Sequence, residues 1–264
     1  MSLQLGPALR RGAGHLLSRA GLAVLAAYTV VMLVYQLSFN TLLRSLVTGL
    51  LPPGAPAGTV PNLVTLPVPD AVAGVLVVVA LLAAATVTVV AVRTFVAGER
   101  ERVPRRFLTD RMVFAVANVA VGGIAFGLVV FLGTLLLVVP GVVAYVGLLF
   151  MLQYVAAEDE NFVTAMRRSW RLTKGNRIRL FLLVLVLLGV VFVVTFLVNV
   201  VLGTALGVAF GAGTSGLVSL AVGTVNVVST LYLLAVLSDA FVQLRDGPGP
   251  ESRGTRPPTG TLGA

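Results

Sequence analysis

The chain has 264 residues, of which 58% are hydrophobic and only 11% are charged. A soluble domain carries roughly 25% charged residues, and a domain of this size cannot hide so many apolar side chains in its core, so the composition excludes an ordinary water-soluble fold. The net charge of +9 would suit a nucleic-acid-binding domain. However, the basic residues stand in short stretches beside apolar segments, which is typical of membrane proteins, and we expect no nucleic-acid partner.

The first 19 residues are basic and precede an apolar stretch, a pattern that a secretory signal peptide also shows. The stretch from Ala20 to Phe39 is long enough to cross a bilayer and no A-x-A cleavage site follows it, so we expect a retained first span. The chain has no Cys, and its single His, His15, has no second ligand nearby. The sequence therefore predicts no disulfide, no metal site and no cofactor.

Six apolar segments meet or approach the 20 or so residues that a helix needs to cross about 30 Å of hydrocarbon. They cover residues 20–39, 71–97, 112–139, 141–157, 180–210 and 216–240. The abundance of valine raises the alternative of a β-barrel, but the strands of a barrel alternate apolar and polar residues and these segments do not. The sequence thus predicts an all-α transmembrane bundle of six spans within a membrane domain over residues 20–240.

The third and fourth segments are separated only by Val139, Pro140 and Gly141. As one helix, the 46 residues from Met112 to Ala157 would be about 69 Å long, far more than one crossing requires. Proline suits a helix end or first turn, and glycine can adopt the positive φ that reverses a chain. We therefore expect a tight hairpin that turns at Pro140-Gly141. A bundle of four spans without this pair is the alternative.

The basic residues divide unequally between the two ends of the spans. Of the 19 basic residues, only Arg44 lies on one side, in the connection after the first span. The rest lie in the N-terminal segment, around the second and fourth connections, and in the tail. By the positive-inside rule the crowded side is cytoplasmic, which predicts a plasma-membrane protein with both termini in the cytoplasm.

Two polar segments are expected to lack long helices. Residues 40–70 contain six prolines and should form an extended loop, with a short interfacial turn over residues 42–51. Residues 241–264 are rich in Gly, Pro, Ser and Thr, a composition that cannot bury enough apolar area to fold. This cytoplasmic tail is predicted to be disordered.

The most informative polar segment runs from Glu158 to Arg179. Its apolar residues recur at helical spacing and its basic residues lie on other faces, which predicts a short amphipathic helix in the headgroup layer. Acidic residues 158–160 precede it, as the helix dipole favours. The candidate surface for membrane lipids or for a partner protein consists of Phe162, Met166, Arg167, Arg168, Trp170, Arg171 and Lys174.

Two features of this region carry a family resemblance: the run Val139-Pro140-Gly141 before a short span, and the run Ala-Met-Arg-Arg-Ser-Trp-Arg-Leu-Thr-Lys-Gly over residues 165–175. The stretch from Pro140 to Arg179 resembles the membrane domain of glycerophosphoryl diester phosphodiesterases and related stand-alone haloarchaeal membrane proteins. In that family the hydrolytic centre belongs to a separate soluble domain. These 264 residues contain no counterpart of it, so the resemblance implies a membrane domain without hydrolytic activity.

Polar side chains within the spans are few and mostly neutral. They include the amides Asn118, Gln153, Asn199 and Asn226 and the tyrosines Tyr28, Tyr145, Tyr154 and Tyr232. Neutral amides commonly bond between helices, so we expect a structural role for them. Arg93 and Asp239 are the ionisable residues nearest the span ends. They would form an ion pair if the second and sixth spans were neighbours, and snorkelling to the interface is the alternative.

Glycines spaced four apart occur in two spans, at Gly123 and Gly127 and at Gly203 and Gly207. This spacing allows close packing of membrane helices. With 28 glycines in the chain, chance produces a few such pairs, so the motif identifies no partner. The spacing is also compatible with close packing of the third span on the fifth within the bundle.

These features favour a non-catalytic multi-pass membrane protein, such as an accessory or scaffold protein in lipid-linked or envelope processes. Its expected partners are membrane lipids and another membrane or envelope protein. A small transporter or channel is the first alternative and would need polar groups at the midplane or a polar cavity between spans. A membrane-embedded enzyme acting on lipids is the second and would need clustered catalytic groups. The acids at 158–160 are the only acidic cluster, and helix-start electrostatics account for them.

Overall fold

The computed structural model describes residues 5–52, 60, 62–210 and 215–246, and within them the chain forms ten helices and no strand. The helices are α1 (Leu5–Leu16), α2 (Arg19–Leu50), α3 (Asp70–Val96), α4 (Arg106–Thr109), α5 (Met112–Leu136), α6 (Val138–Gly147), α7 (Met151–Ala157), α8 (Phe162–Thr173), α9 (Arg177–Phe210) and α10 (Ser215–Arg245). Six segments are long and apolar enough to cross a membrane: α2, α3, α5, α6 with α7, α9 and α10. The predicted all-α bundle is confirmed, and the chain is an integral membrane protein.

The basic connections come together at one end of the bundle, which we call the basic end. The backbone N–H of Ala20 at the start of α2 donates to the carbonyl of Arg100, 3.0 Å away, in the connection after α3. Arg245 at the end of α10 lies 3.3 Å from Glu158 in the turn between α7 and α8. The helix α2 carries Arg44 towards the opposite end. The described bundle therefore carries most of its basic residues at one end and Arg44 towards the other, as the sequence predicts.

Local capping sets the start of two of these helices. The hydroxyl of Ser18 accepts from Gly21 N, 3.1 Å away, and begins α2. The side chain of Asn161 accepts from Thr164 N at 2.9 Å and begins α8. Such caps satisfy N–H groups that have no partner within the helix. After α8 the chain turns at Gly175, whose φ of +92° favours glycine.

The helices α5 and α6 form the expected hairpin, but the chain reverses earlier than predicted. The reversal is at Leu137, with φ −160° and ψ 142°, and Pro140 lies in the first turn of α6, where a missing N–H costs no hydrogen bond. Gly141 is needed for close approach, because a Cβ there would overlap the side chain of Thr134. Among the described glycines only Gly98 and Gly175 have positive φ, so the predicted use of Gly141 as a positive-φ turn residue is wrong.

The fourth span is not one continuous helix. It is interrupted at residues 148–150, between α6 and α7. The hydroxyl of Ser169 on α8 accepts from Phe150 N at 3.0 Å and donates to the Gly147 carbonyl at 2.9 Å. Backbone groups freed inside a membrane need partners, and α8 supplies them. The helix α8 is thus part of the bundle as well as a surface helix.

Two helices extend beyond their predicted ends. The helix α2 continues to Leu50, so the expected loop after Phe39 is helical at first. Its polar side chains bind the connection that precedes α3: Asn40 donates to the Val64 carbonyl at 3.0 Å. The helix α10 runs to Arg245, five residues into the predicted disordered tail. Residues 247–264 lie outside the described part of the chain.

The N-terminal segment, expected only to be basic, forms the helix α1 and packs on α10. A Cβ at Gly12 would overlap Val236, so the two helices are in close contact. The hydroxyl of Tyr232 donates to the Leu9 carbonyl at 3.3 Å. Ala8 is fully buried in this contact. Together α1 and α10 cover the core at the basic end.

The buried core lies towards the basic end, and the opposite half of the spans faces outward. Phe150, Leu180 and Phe241 are completely buried, whereas Phe192 and Val208 farther along α9 are 70% and 90% exposed. Such apolar exposure is what lipid contact requires. The glycines at positions 123, 127, 203 and 207 have open space where a Cβ would stand. They do not pack α5 on α9 within the described bundle.

Candidate functional site

Arg93 is a buried charge near the end of α3, with a side chain only 6% exposed. Its Nη2 lies 2.7 Å from Asp159 Oδ1. Its Nε donates to the Ala156 carbonyl at 2.7 Å, and its Nη1 donates to the Phe107 carbonyl at 3.1 Å. A buried guanidinium is tolerated when it is both paired and hydrogen-bonded, as here. Arg93 thereby ties α3 to the turn between α7 and α8.

The predicted ion pair between Arg93 and Asp239 is wrong. Asp239 pairs instead with Arg11 of α1, at 3.0 Å, and accepts from Gln243 at 2.6 Å. The helices α3 and α10 are neighbours, but Arg93 reaches the turn after α7 and Asp239 reaches α1. The sequence pattern indicates Asp159 only as a helix-start residue and places no helix before the first span, so these two pairings could not be predicted from it.

The other two acids of the turn are also engaged. Glu158 lies 3.0 Å from Arg168 and 3.3 Å from Arg245, and Glu160 lies 2.7 Å from Arg168. The guanidinium of Arg168 also lies over the ring of Tyr154. These contacts remove Arg168 from the predicted lipid-facing surface. The three acids join α3, α8 and α10 at the basic end.

The helix α8 packs on the bundle through small residues. Ala165, Ser169 and Thr173 follow one another at intervals of four and are completely buried. Thr173 donates to the same Gly147 carbonyl as Ser169, at 3.3 Å. The buried face of α8 therefore differs from the apolar face that the sequence indicated.

Two of the predicted surface residues instead hold α8 in place. The backbone N–H of Phe162 donates to Asn118 Oδ1 of α5 at 3.0 Å, and its side chain packs at Gly122. Met166 is partly buried against the core. Trp170 remains on the surface, 40% exposed, with one side of its ring against Gly147.

Five basic residues flank Trp170 along the end of α8 and the start of α9. We call the cluster the basic surface, and it consists of Trp170 with Arg167, Arg171, Lys174, Arg177 and Arg179. Within the described residues none of its five cations forms an ion pair. Arg177 stacks on the ring of Trp170, 4.1 Å from its centroid, in a cation–π contact. Arg177 and Arg179 were not among the predicted site residues, although the basic run visibly continues past Gly175.

The turn between α8 and α9 encloses an open hollow beside these cations. It has a volume of about 540 Å³ and is lined by residues 174–179. Closely spaced cations without counter-charges attract anions from their surroundings. The basic surface therefore offers a site for an anionic group at the end of the bundle.

A second candidate site is a groove of about 370 Å³ between α2 and α10, within the spans. Its polar lining includes Tyr35, Gln36 and Asn226. The amide of Gln36 donates to the Ser219 carbonyl at 3.1 Å, and Asn226 Oδ1 accepts from Thr195 of α9 at 3.4 Å. Gln36 was absent from the predicted set of intramembrane polar residues.

The predicted inter-helix role of the span amides holds for some of them. Asn118 bridges α5 and α8, and Asn226 contacts α9, as described above. Gln153 is 1% exposed, and neither of its amide atoms has a hydrogen-bond partner among the described residues. Asn199 is exposed on α9.

Comparison with protein families gives a match over nearly the whole chain. A family described as "Domain of unknown function (DUF7847)" matches residues 3–244. Comparison with curated proteins and comparison with solved structures each give no significant match. The matched residues extend from before α1 to the last turn of α10 and include the Arg93–Asp159 ion pair and the basic surface. The chain therefore belongs to this family, whose function is unknown.

Proposed function

We propose that the chain is a non-catalytic multi-pass protein that serves as an accessory or scaffold in the membrane, with its basic surface held against anionic lipid headgroups. The observation that carries this proposal is the contrast at the basic end. Five cations without ion pairs flank the exposed Trp170 along the described chain, while the neighbouring acids form ion pairs within the bundle. A cation near an anionic bilayer contributes about 1 kcal/mol, and Trp favours the headgroup layer.

The acids of this turn argue against the alternative of a membrane-embedded enzyme, because they are engaged in ion pairs. Asp159, Glu158 and Glu160 each have a cationic partner within 3.0 Å. A general acid or base must reach a substrate, and these carboxylates instead hold helices together. The resemblance of residues 140–179 to the membrane domain of glycerophosphoryl diester phosphodiesterases agrees with a role beside lipid chemistry rather than in it.

The proposal places the basic end in the cytoplasm and the protein in the plasma membrane. Its support is the positive-inside rule, applied to a chain in which only Arg44 of the 19 basic residues lies on the other side. The chain has no native Cys, so single cysteines at Ala57 and Glu101 test this orientation. In intact cells a membrane-impermeant maleimide should label Ala57→Cys and spare Glu101→Cys. The reverse pattern would contradict the proposed orientation.

Purification in a mild detergent tests the functional proposal. We expect anionic lipids to be enriched over the bulk membrane in the purified protein, together with any protein that it supports. The variant Arg171→Gln/Lys174→Gln/Arg179→Gln should lose this enrichment. The variant Arg100→Gln/Arg102→Gln/Arg105→Gln removes the same charge elsewhere at the basic end and should keep it. A bound-lipid composition equal to that of the bulk membrane would refute the proposed lipid contact.

The groove between α2 and α10 favours a second candidate, a small transporter. Polar side chains within a bilayer are costly and often mark a solute path. Proteoliposomes distinguish the two proposals. A scaffold gives no solute flux, whereas flux that Gln36→Leu and Asn226→Leu abolish would replace the scaffold proposal.

A further inference from the structure

An apolar groove of about 270 Å³ runs between the α5–α6 hairpin and α9. On the hairpin side it is lined by Val142, Tyr145 and Val146, and on α9 by Phe181, Leu185 and Leu188, among other residues. Thr134 also lines it, but its hydroxyl donates to the Val130 carbonyl of its own helix, 2.8 Å away. The groove thus presents hydrocarbon surface almost throughout. Its occupant must be apolar and narrow, since a helix with its side chains is about 10 Å across.

The groove opens next to the basic surface. Val146 precedes Gly147, against which the Trp170 ring packs. Arg177 stacks on the same ring, 4.1 Å from its centroid. On α9, Phe181 is one helical turn beyond Arg177. A molecule in the groove therefore has its end within reach of the cations at the turn between α8 and α9.

We propose that the groove and the basic surface together bind one anionic phospholipid. This proposal rests on the proposed function and names its ligand. An acyl chain lies between α6 and α9, and the phosphate lies at Lys174, Arg177 and Arg179. The match is one of charge and of polarity, because cations without ion pairs lie at the turn between α8 and α9 and an apolar groove begins one helical turn beyond them on α9. A lipid supplies both an anion and a hydrocarbon chain, separated as the site requires.

Trp170 is the only Trp in the chain, so its fluorescence reports on this site alone. The full chain is reconstituted in phosphatidylcholine vesicles that contain a minor fraction of lipid with brominated chains, a quencher of nearby Trp. We expect brominated phosphatidylglycerol to quench Trp170 more than brominated phosphatidylcholine at the same fraction.

Two variants separate the parts of the site. The double variant Lys174→Gln/Arg179→Gln leaves the stack of Arg177 on Trp170 intact and should weaken the apparent affinity for phosphatidylglycerol by about tenfold or more. Arg100→Gln/Arg102→Gln is its matched control. Val142→Phe fills the groove and should also remove the preference. Val190→Phe, on the opposite face of α9, makes the same change outside the groove and should keep it.

The outcomes distinguish this inference from the proposed function. Loss of the preference with both the charge variant and Val142→Phe supports a single two-part lipid site. Loss with the charge variant alone overturns the two-part site and leaves headgroup contact standing. Equal quenching of the unsubstituted protein by both lipids overturns the two-part site and the proposed contact with anionic lipid together.

Discussion

Single residues at the basic end are strongly constrained by their charges. Asp159 has φ of +52°, in the left-handed region that Asp adopts more readily than most residues. In this conformation its carboxylate reaches Arg93. The sequence shows an acidic cluster before a helix but gives no sign of this backbone conformation. The partner of Arg93 could therefore not be predicted from spacing alone.

Substitution of Asp159 should be costly because it leaves the buried guanidinium of Arg93 without a counter-charge. We expect Asp159→Ala to lower the free energy of unfolding by about 3 kcal/mol, measured by denaturant titration of the purified protein in mixed micelles. Glu99→Ala is the control, because Glu99 lies 4.0 Å from the exposed Arg106 and should cost at most about 1 kcal/mol.

Exchanging the two charges, Arg93→Asp with Asp159→Arg, should not restore stability. A carboxylate at position 93 cannot donate to the carbonyls of Ala156 and Phe107. Full recovery in the double variant would show that the ion pair alone, without these carbonyl bonds, accounts for the effect.

His15 gives the basic end a pH dependence. Burial, with the nearby Arg100 guanidinium as a second cause, lowers the pKa of His15 below its ordinary value. The unfolded chain therefore binds a proton before the folded protein does as the pH falls. We expect the melting temperature to fall as the pH drops below about 6.5, the ordinary pKa of His. His15→Gln should remove this part of the dependence, and an unchanged profile in that variant would assign it to other groups.

At the scale of helices, the length of the apolar segments and the clustering of basic residues predicted the spans, whereas side-chain hydrogen bonding could not be predicted. Six spans and the hairpin of α5 and α6 follow from apolar length and from the clustering of basic residues. The break at residues 148–150 has no such signal, because that stretch is as apolar as its surroundings. The break is stabilised by Ser169 of α8, whose hydroxyl bonds to the backbone on both sides of it. The helix α1 could have been predicted, since Ala8, Leu9 and Leu16 recur at helical spacing.

The interrupted fourth span should depend on Ser169. Replacement by Ala leaves the Phe150 N–H without a partner and takes one donor from the Gly147 carbonyl, in a buried setting. We expect Ser169→Ala to cost about 2 kcal/mol of unfolding free energy, measured by the same titration. Thr204→Ala should cost much less, since the Thr204 hydroxyl is exposed and bonds within its own helix. Equal costs would mean that water replaces Ser169 at the break.

The whole molecule is a bundle whose stability is concentrated at the basic end. The buried aromatic residues, the buried Arg93 and the contacts of α1 lie there, while α5 and α9 present apolar side chains outward along much of their length. The number of spans could be predicted from the sequence. The basic surface could be predicted only in part, because the pairing of Arg168 and the stacking of Arg177 depend on how the turns fold.

Removal of residues 1–16 tests whether membrane insertion depends on the six spans alone while stability depends on the contacts at the basic end. The six spans carry their own apolar length, so the shortened chain should still insert, and a cysteine at Glu101 should remain on its original side of the membrane. The loss of α1 uncovers part of α10 and takes Arg11 from Asp239. We therefore expect unfolding to become easier by about 3 kcal/mol, the scale of burying one or two large apolar side chains. A single substitution, Arg11→Ala, serves as the control. The Arg11 side chain is about half-exposed and Asp239 keeps its bond from Gln243, so loss of this ion pair should cost at most about 1 kcal/mol. Unchanged stability after removal of residues 1–16 would show that α1 rests on the bundle without supporting it.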